Sequence, residues 1–88
     1  MTGTSELRLD GNAIGGLLLE LFGAELTAAP CICAGCGARE EMARLDVYVG
    51  AGIVVRCRHC ESVILRVVQG GGRTWLDVSG ASVIELAL

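Results

Sequence analysis

Two Cys-x-x-Cys units, Cys33-Ala34-Gly35-Cys36 and Cys57-Arg58-His59-Cys60, stand twenty residues apart in a chain of 88. No other feature restricts the fold as much. Two residues between thiolates let a tight turn aim both sulfurs at one ion, while the amides of the turn point at the sulfurs and offset their charge. A glycine just past the second cysteine relieves such a turn sterically. Gly37 fits that place and Glu61, at the matching position of the second knuckle, does not. The candidate metal ligands are therefore Cys33, Cys36, Cys57 and Cys60, and the segment between the knuckles must carry the second across to the first.

The chain needs such a staple. Eighty-eight residues make one small domain; 52% are apolar, which excludes a disordered chain, yet only 3% are aromatic. A chain this short buries too little surface for a comfortable core. The cysteine count is five, an odd number that reads as four ligands and one left over. The start, Met-Thr-Gly-Thr-Ser-Glu, has no basic leader region, and the longest apolar stretch, Ala13 to Phe22, already contains Glu20. Neither export nor a membrane anchor is expected, so the predicted location is cytoplasmic. A reducing cytosol disfavours structural disulfides and favours metal or redox chemistry at Cys-x-x-Cys pairs.

Charge narrows the partners. Ten Asp and Glu face seven basic residues, all of them Arg, for a formal net charge of -3. Four thiolates around a divalent ion would make the protein more negative still. Phosphate backbones attract clustered cations, so an acidic domain is disfavoured as a nucleic-acid binder.

Residues 1 to 9 read as a polar lead-in and 10 to 88 as one domain. Asp10 is a cap candidate, and Ile14, Leu17, Leu18, Leu21 and Phe22 form an apolar stripe at helical spacing, with Gly23 as the stop. This predicts an amphipathic helix over about 10–23. Gly15 and Gly16 weaken it by about 1 kcal/mol each relative to Ala, which suggests close packing on a sheet. From residue 45 the period changes to two. Leu45 to Val49, then Gly50-Ala51-Gly52, then Ile53 to Val55 reads as a hairpin; Val63 to Val68, the Gly70-Gly71-Gly72 turn and Thr74 to Val78 follow; Val83 to Leu88 is a last strand. The fold class expected is a small α+β metal-binding domain, with an N-terminal amphipathic helix followed by an antiparallel sheet.

With these knuckles the sequence resembles the zinc-ribbon superfamily over about residues 31–68, with C-terminal strands at about 73–88. More loosely, Leu9-Asp10-Gly11-Asn12-Ala13 and Trp75-Leu76-Asp77 make the whole chain similar to an uncharacterised actinobacterial family of short zinc-ribbon proteins. The resemblance implies fold and metal, not activity: one Zn(2+) per chain, held by Cys33, Cys36, Cys57 and Cys60. Four thiolates with no open position describe a structural site, whereas catalytic zinc keeps a water. The same tetrahedral sulfur set suits iron in a rubredoxin-like role, and a metal-free thiol–disulfide function is the third reading.

Other residues carry weaker signals. Cys31, two residues before Cys33, reads as a small buried side chain leading into the knuckle. His59 reads as a solvent-facing turn residue, and Arg39, Arg56 and Arg58 as a solvated face near the thiolates, with an acidic partner as the alternative. Glu40 and Glu41 read as a solvated run in a polar connection. No G-x-S-x-G elbow surrounds any serine, and Gly70-Gly71-Gly72 lacks the Lys-Ser/Thr ending of a phosphate loop. No catalytic residues are assigned and no enzymatic activity is expected.

The function expected is a non-catalytic structural-zinc protein that serves as a protein–protein interaction module or accessory subunit. A redox or electron-transfer protein is the alternative, and a nucleic-acid-associated ribbon the weaker one. A protein partner is expected, as a homodimer or an oxidoreductase subunit, with the helix stripe or the last strand at the contact because both are rich in apolar residues.

Overall fold

The computed structural model describes residues 8–86. The polar lead-in at 1–9 therefore falls almost wholly outside the described residues, as do the last two residues of the final predicted strand. In chain order the elements are β1 (Arg8–Asp10), a 3-10 turn (Gly11–Ile14), α1 (Gly15–Phe22), β2 (Pro30–Cys33), β3 (Arg39–Glu41), a second 3-10 turn (Met42–Arg44), β4 (Asp46–Val49), β5 (Ile53–Arg56), β6 (Val63–Gly70), β7 (Arg73–Asp77) and β8 (Ala81–Ile84). All strand pairing is antiparallel. The strands form a five-stranded sheet ordered β1-β4-β5-β6-β7 and a three-stranded sheet ordered β3-β2-β8.

The helix departs from the sequence reading. Asp10 does cap, its carboxylate accepting the Asn12 amide at 3.1 Å, but what it caps is the 3-10 turn. True α-helix covers only the eight residues of α1 and stops at Gly23, which is left-handed (φ 70°) and donates its amide to Leu19 O at 2.8 Å. Within α1 only Leu18 is buried; Leu17, Leu21 and Phe22 are half-covered and Leu19 is exposed, so the element is not a clearly amphipathic N-terminal helix. Gly15 and Gly16 explain part of this, since two poor helix formers delay the α-helical turn. A Cβ on Gly15 would meet the Thr27 side chain rather than a sheet, and Gly16 faces open space.

Alternation places the core. Val47, Val55 and Leu65 hold paired register positions on β4, β5 and β6, and together with Val67, two residues further along β6, they are buried on one face. Against them pack Ile14, Leu18, Leu26, Met42 and Leu45, together with Cys31 and Cys33 of β2. The opposite face of the larger sheet carries Tyr48, Val54, Arg66, Val68, Trp75 and Asp77, of which Val68 and Trp75 are well exposed.

Two close approaches lock the sheets. A Cβ on Gly11 would lie 1.8 Å from Met42 O, and one on Gly80 would lie 1.9 Å from Val63 O. Gly80 also donates to Ile64 O and accepts from the Ala34 amide at 3.1 and 2.8 Å. It thereby ties β6 to the first knuckle and directs β8 onto β2, where Cys31 faces Ile84.

Candidate metal centre

Each knuckle is the turn of a hairpin: Cys33 ends β2 and Cys36 lies in the connection to β3, while Cys57 and Cys60 lie between β5 and β6. The two turns are built alike. Gly37 N donates to Cys33 O at 2.8 Å and Glu61 N to Cys57 O at 2.9 Å; Cys33 N donates to Ala38 O and Cys57 N to Ser62 O, both at 2.9 Å. In each turn the amide two residues past the first cysteine points at its sulfur, Gly35 N to Cys33 Sγ at 3.3 Å and His59 N to Cys57 Sγ at 3.4 Å. Those amide dipoles offset negative charge gathered on the sulfurs.

The hairpins bring Cys33, Cys36, Cys57 and Cys60 together, with all four sulfurs within 4.8 Å of one another. Cys33 Sγ lies 3.6 Å from Cys60 Sγ, and Cys36 Sγ lies 3.7 Å from Cys57 Sγ. Cys33 and Cys57 sit on the core side and Cys36 and Cys60 at the surface. The arrangement is therefore half embedded in the core cluster, and its closure joins the smaller sheet to the larger.

Without an ion the thiols differ. The Ser62 hydroxyl, 3.2 Å from Cys60 Sγ, and the Ser62 amide pull Cys60 down to about 6. At Cys36 the Ala38 backbone pulls downward, but desolvation and the neighbouring thiols Cys57, Cys60 and Cys33 outweigh it and carry the group up to about 12.

Cys31 stands outside this set. It is buried in β2, where desolvation first, then Cys33, Cys57 and the Glu40 carboxylate, push its thiol up to about 11. His59 is exposed and outside the four-sulfur group, but its ring is engaged: Nε2 lies 3.2 Å from Glu40 Oε2. Glu40, half-buried on β3, also lies 3.9 Å from Arg44, so it is a bridge between the two knuckle hairpins rather than part of a solvated run. Glu41 is exposed.

The arginines divide. Arg39 pairs with Glu85 at 3.0 Å, and Arg56 lies 5.9 Å from the Tyr48 ring while donating to Glu61 O at 2.9 Å. Arg58, on the second knuckle, faces an open groove shared with Asp10, Glu41, Arg44 and Asp46. The Arg56 contact escaped the sequence reading, although it supports the knuckle that lacks a glycine: Glu61 is left-handed at φ 65°.

Fold and site together define a small α+β protein in which four of the five cysteines are positioned to bind a metal ion. The family model for a family of unknown function, DUF6510, matches residues 4–88, and the chain belongs to that family. No curated protein and no solved structure matches the chain. No helix among the described residues is long and apolar enough to cross a membrane, which leaves β-barrels unaddressed.

Proposed function

We propose that the protein is a non-catalytic zinc-ribbon module of the cytoplasm, that one structural Zn(2+) is held by Cys33, Cys36, Cys57 and Cys60, and that its role is to bind another protein. The observation that carries the metal assignment is the sulfur geometry. A tetrahedral zinc about 2.3 Å from each sulfur sets neighbouring sulfurs about 3.8 Å apart, and two cross-knuckle pairs stand at 3.6 and 3.7 Å, with all four sulfurs within 4.8 Å of one another. Four thiolates fill the coordination sphere, which leaves no place for a reacting water and favours a structural over a catalytic role. The embedding of Cys33 and Cys57 in the core supports the same reading, because metal capture and core formation then become one event.

Metal analysis with absorption spectroscopy tests it. About one zinc per chain and no visible band is the expected result. Iron with a thiolate charge-transfer band would replace this reading with rubredoxin-like electron transfer, for which the same sulfur set is suited. Protein that folds with neither metal would remove the proposal.

A further inference from the structure

The interaction surface is more specific than a greasy patch. Strand β7 is the outer edge of the five-stranded sheet, and all its residues except Asp77 are exposed. It pairs with β6 through the two-residue turn Gly71-Gly72, both glycines left-handed at φ 60° and 77°, with Gly70 opposite Arg73. A two-residue hairpin makes that closing pair hydrogen-bonded, so the alternate pairs Val68 with Trp75 and Arg66 with Asp77 are hydrogen-bonded too. The amides and carbonyls of Thr74 and Leu76 then face away from the sheet. These are the groups an additional antiparallel strand would meet.

The sequence of β7 reads Arg-Thr-Trp-Leu-Asp. Centred on Trp75, an antiparallel copy of this strand sets Thr74 opposite the second copy's Leu76, using the outward backbone groups, and sets Trp75 opposite Trp75 at a non-hydrogen-bonded position where side chains lie closest. It also sets Arg73 opposite Asp77 at both ends. The strand is charge-palindromic about its tryptophan. Arg73 has no ion pair among the described residues; Asp77 is held by Arg66 at 3.3 Å and by the Ser79 amide at 2.9 Å on the same face. Trp75 is 55% exposed and Val68, across from it, 45%. Pairing would join the two exposed patches into one.

We propose that a second copy of this chain docks on β7, edge to edge about a two-fold axis through Trp75, to give a continuous ten-stranded sheet. This rests on the reading of the chain as an interaction module and names its partner. The other candidate surfaces fit less well: the α1 side chains Leu17, Leu21 and Phe22 already pack on the core, and β8, Ala-Ser-Val-Ile, carries no charged residue.

Sedimentation of the zinc-loaded full chain up to roughly 100 μM, followed in parallel by fluorescence of the chain's single tryptophan, tests this. A dimer whose emission moves to the blue as it forms is expected. Arg73→Asp sets carboxylate against carboxylate at both symmetric positions and should weaken the dimer at least about tenfold, and Asp77→Arg should do the same with two guanidiniums. Mixing the two variants restores both opposite-charge pairs and should restore dimer. Circular dichroism confirms that each variant is folded; should Asp77→Arg fail that check, Arg73→Asp and the tryptophan shift still decide. A monomeric wild type, or a dimer indifferent to Arg73→Asp, overturns the proposal. Zinc content of the same samples separates the readings: a zinc-replete monomer removes the dimer alone, and a dimer without zinc removes the metal assignment alone.

Discussion

Gly37 and Glu61 hold the same left-handed backbone conformation, at φ 78° and 65°, one residue past the closing cysteine of each knuckle. Only one of them is free of the steric cost. An L side chain in this region costs about 1–2 kcal/mol, partly offset in glycine by its greater freedom when unfolded. Replacing Glu61 by Gly should therefore raise the stability of the zinc-loaded protein by about 0.5–1 kcal/mol, since the Arg56 contact uses the Glu61 backbone carbonyl and survives. A urea midpoint measurement reads the change; a lower midpoint would show that the Glu61 side chain contributes more than its backbone strain costs.

Cys31 and Cys57 are both buried, but only Cys57 belongs to the sulfur cluster. Cys31→Ala should retain about one zinc per chain and lose about 1 kcal/mol from packing, whereas Cys57→Ser should leave three thiolates and a poorly folded chain. Zinc titration with a colorimetric chelator distinguishes them. Equal metal loss in both would show that Cys31 takes part in binding.

Metal capture should release protons, with a sign fixed by the cluster. Around pH 7.5 Cys60, pulled down to about 6, is already a thiolate, while Cys36, pushed up to about 12, carries a proton that zinc must displace. Affinity should therefore rise with pH, and calorimetry in two buffers of different ionisation enthalpy should count at least about one proton released per zinc. Below pH 6 Cys60 competes for a proton as well, and the loss of zinc should steepen. A pH-independent affinity would mean that the thiols are not the ligands.

Gly80 should tolerate no side chain. Its Cβ would collide with Val63 O, and the displacement would pull on Ala34, which its carbonyl holds beside Cys33. Gly80→Ala should cost about 2–4 kcal/mol and speed zinc transfer to a chelator. Gly70→Ala, where nothing lies within 4 Å of the added atom, is the control and should stay within about 0.5 kcal/mol.

The parts of this structure that could be read from the sequence were those with a local signature. The knuckle cysteines announce themselves by spacing, and β4 to β7 by alternation and glycine turns, with ends that differ by one or two residues. Strands β1 and β3 had no such signature: three residues do not establish a period, and Arg39-Glu40-Glu41 reads as solvated although its Cys31–Glu40 register makes it a sheet edge. The apolar spacing runs longer than the α-helix itself because Leu17, Leu21 and Phe22 count as apolar in a pattern yet stay only half-covered, and because the 3-10 turn before them shares their spacing. The pairing of β8 with β2 depends on Gly80 fitting against the β6 backbone, a steric fact with no trace in hydropathy.

That pairing has a kinetic side. Joining Cys31 to Ile84 closes a loop of about fifty residues that contains most of the larger sheet, and loops of that length form slowly because their closure entropy is lost before contacts repay it. A metal bridging Cys33 to Cys57 and Cys60 would cut the same path to roughly half, so that the ion shortens the search as well as holding the result. Refolding started with zinc present should then outpace refolding to which zinc is added late, and the smaller sheet, whose middle strand carries Cys33, should be the part that gains most speed.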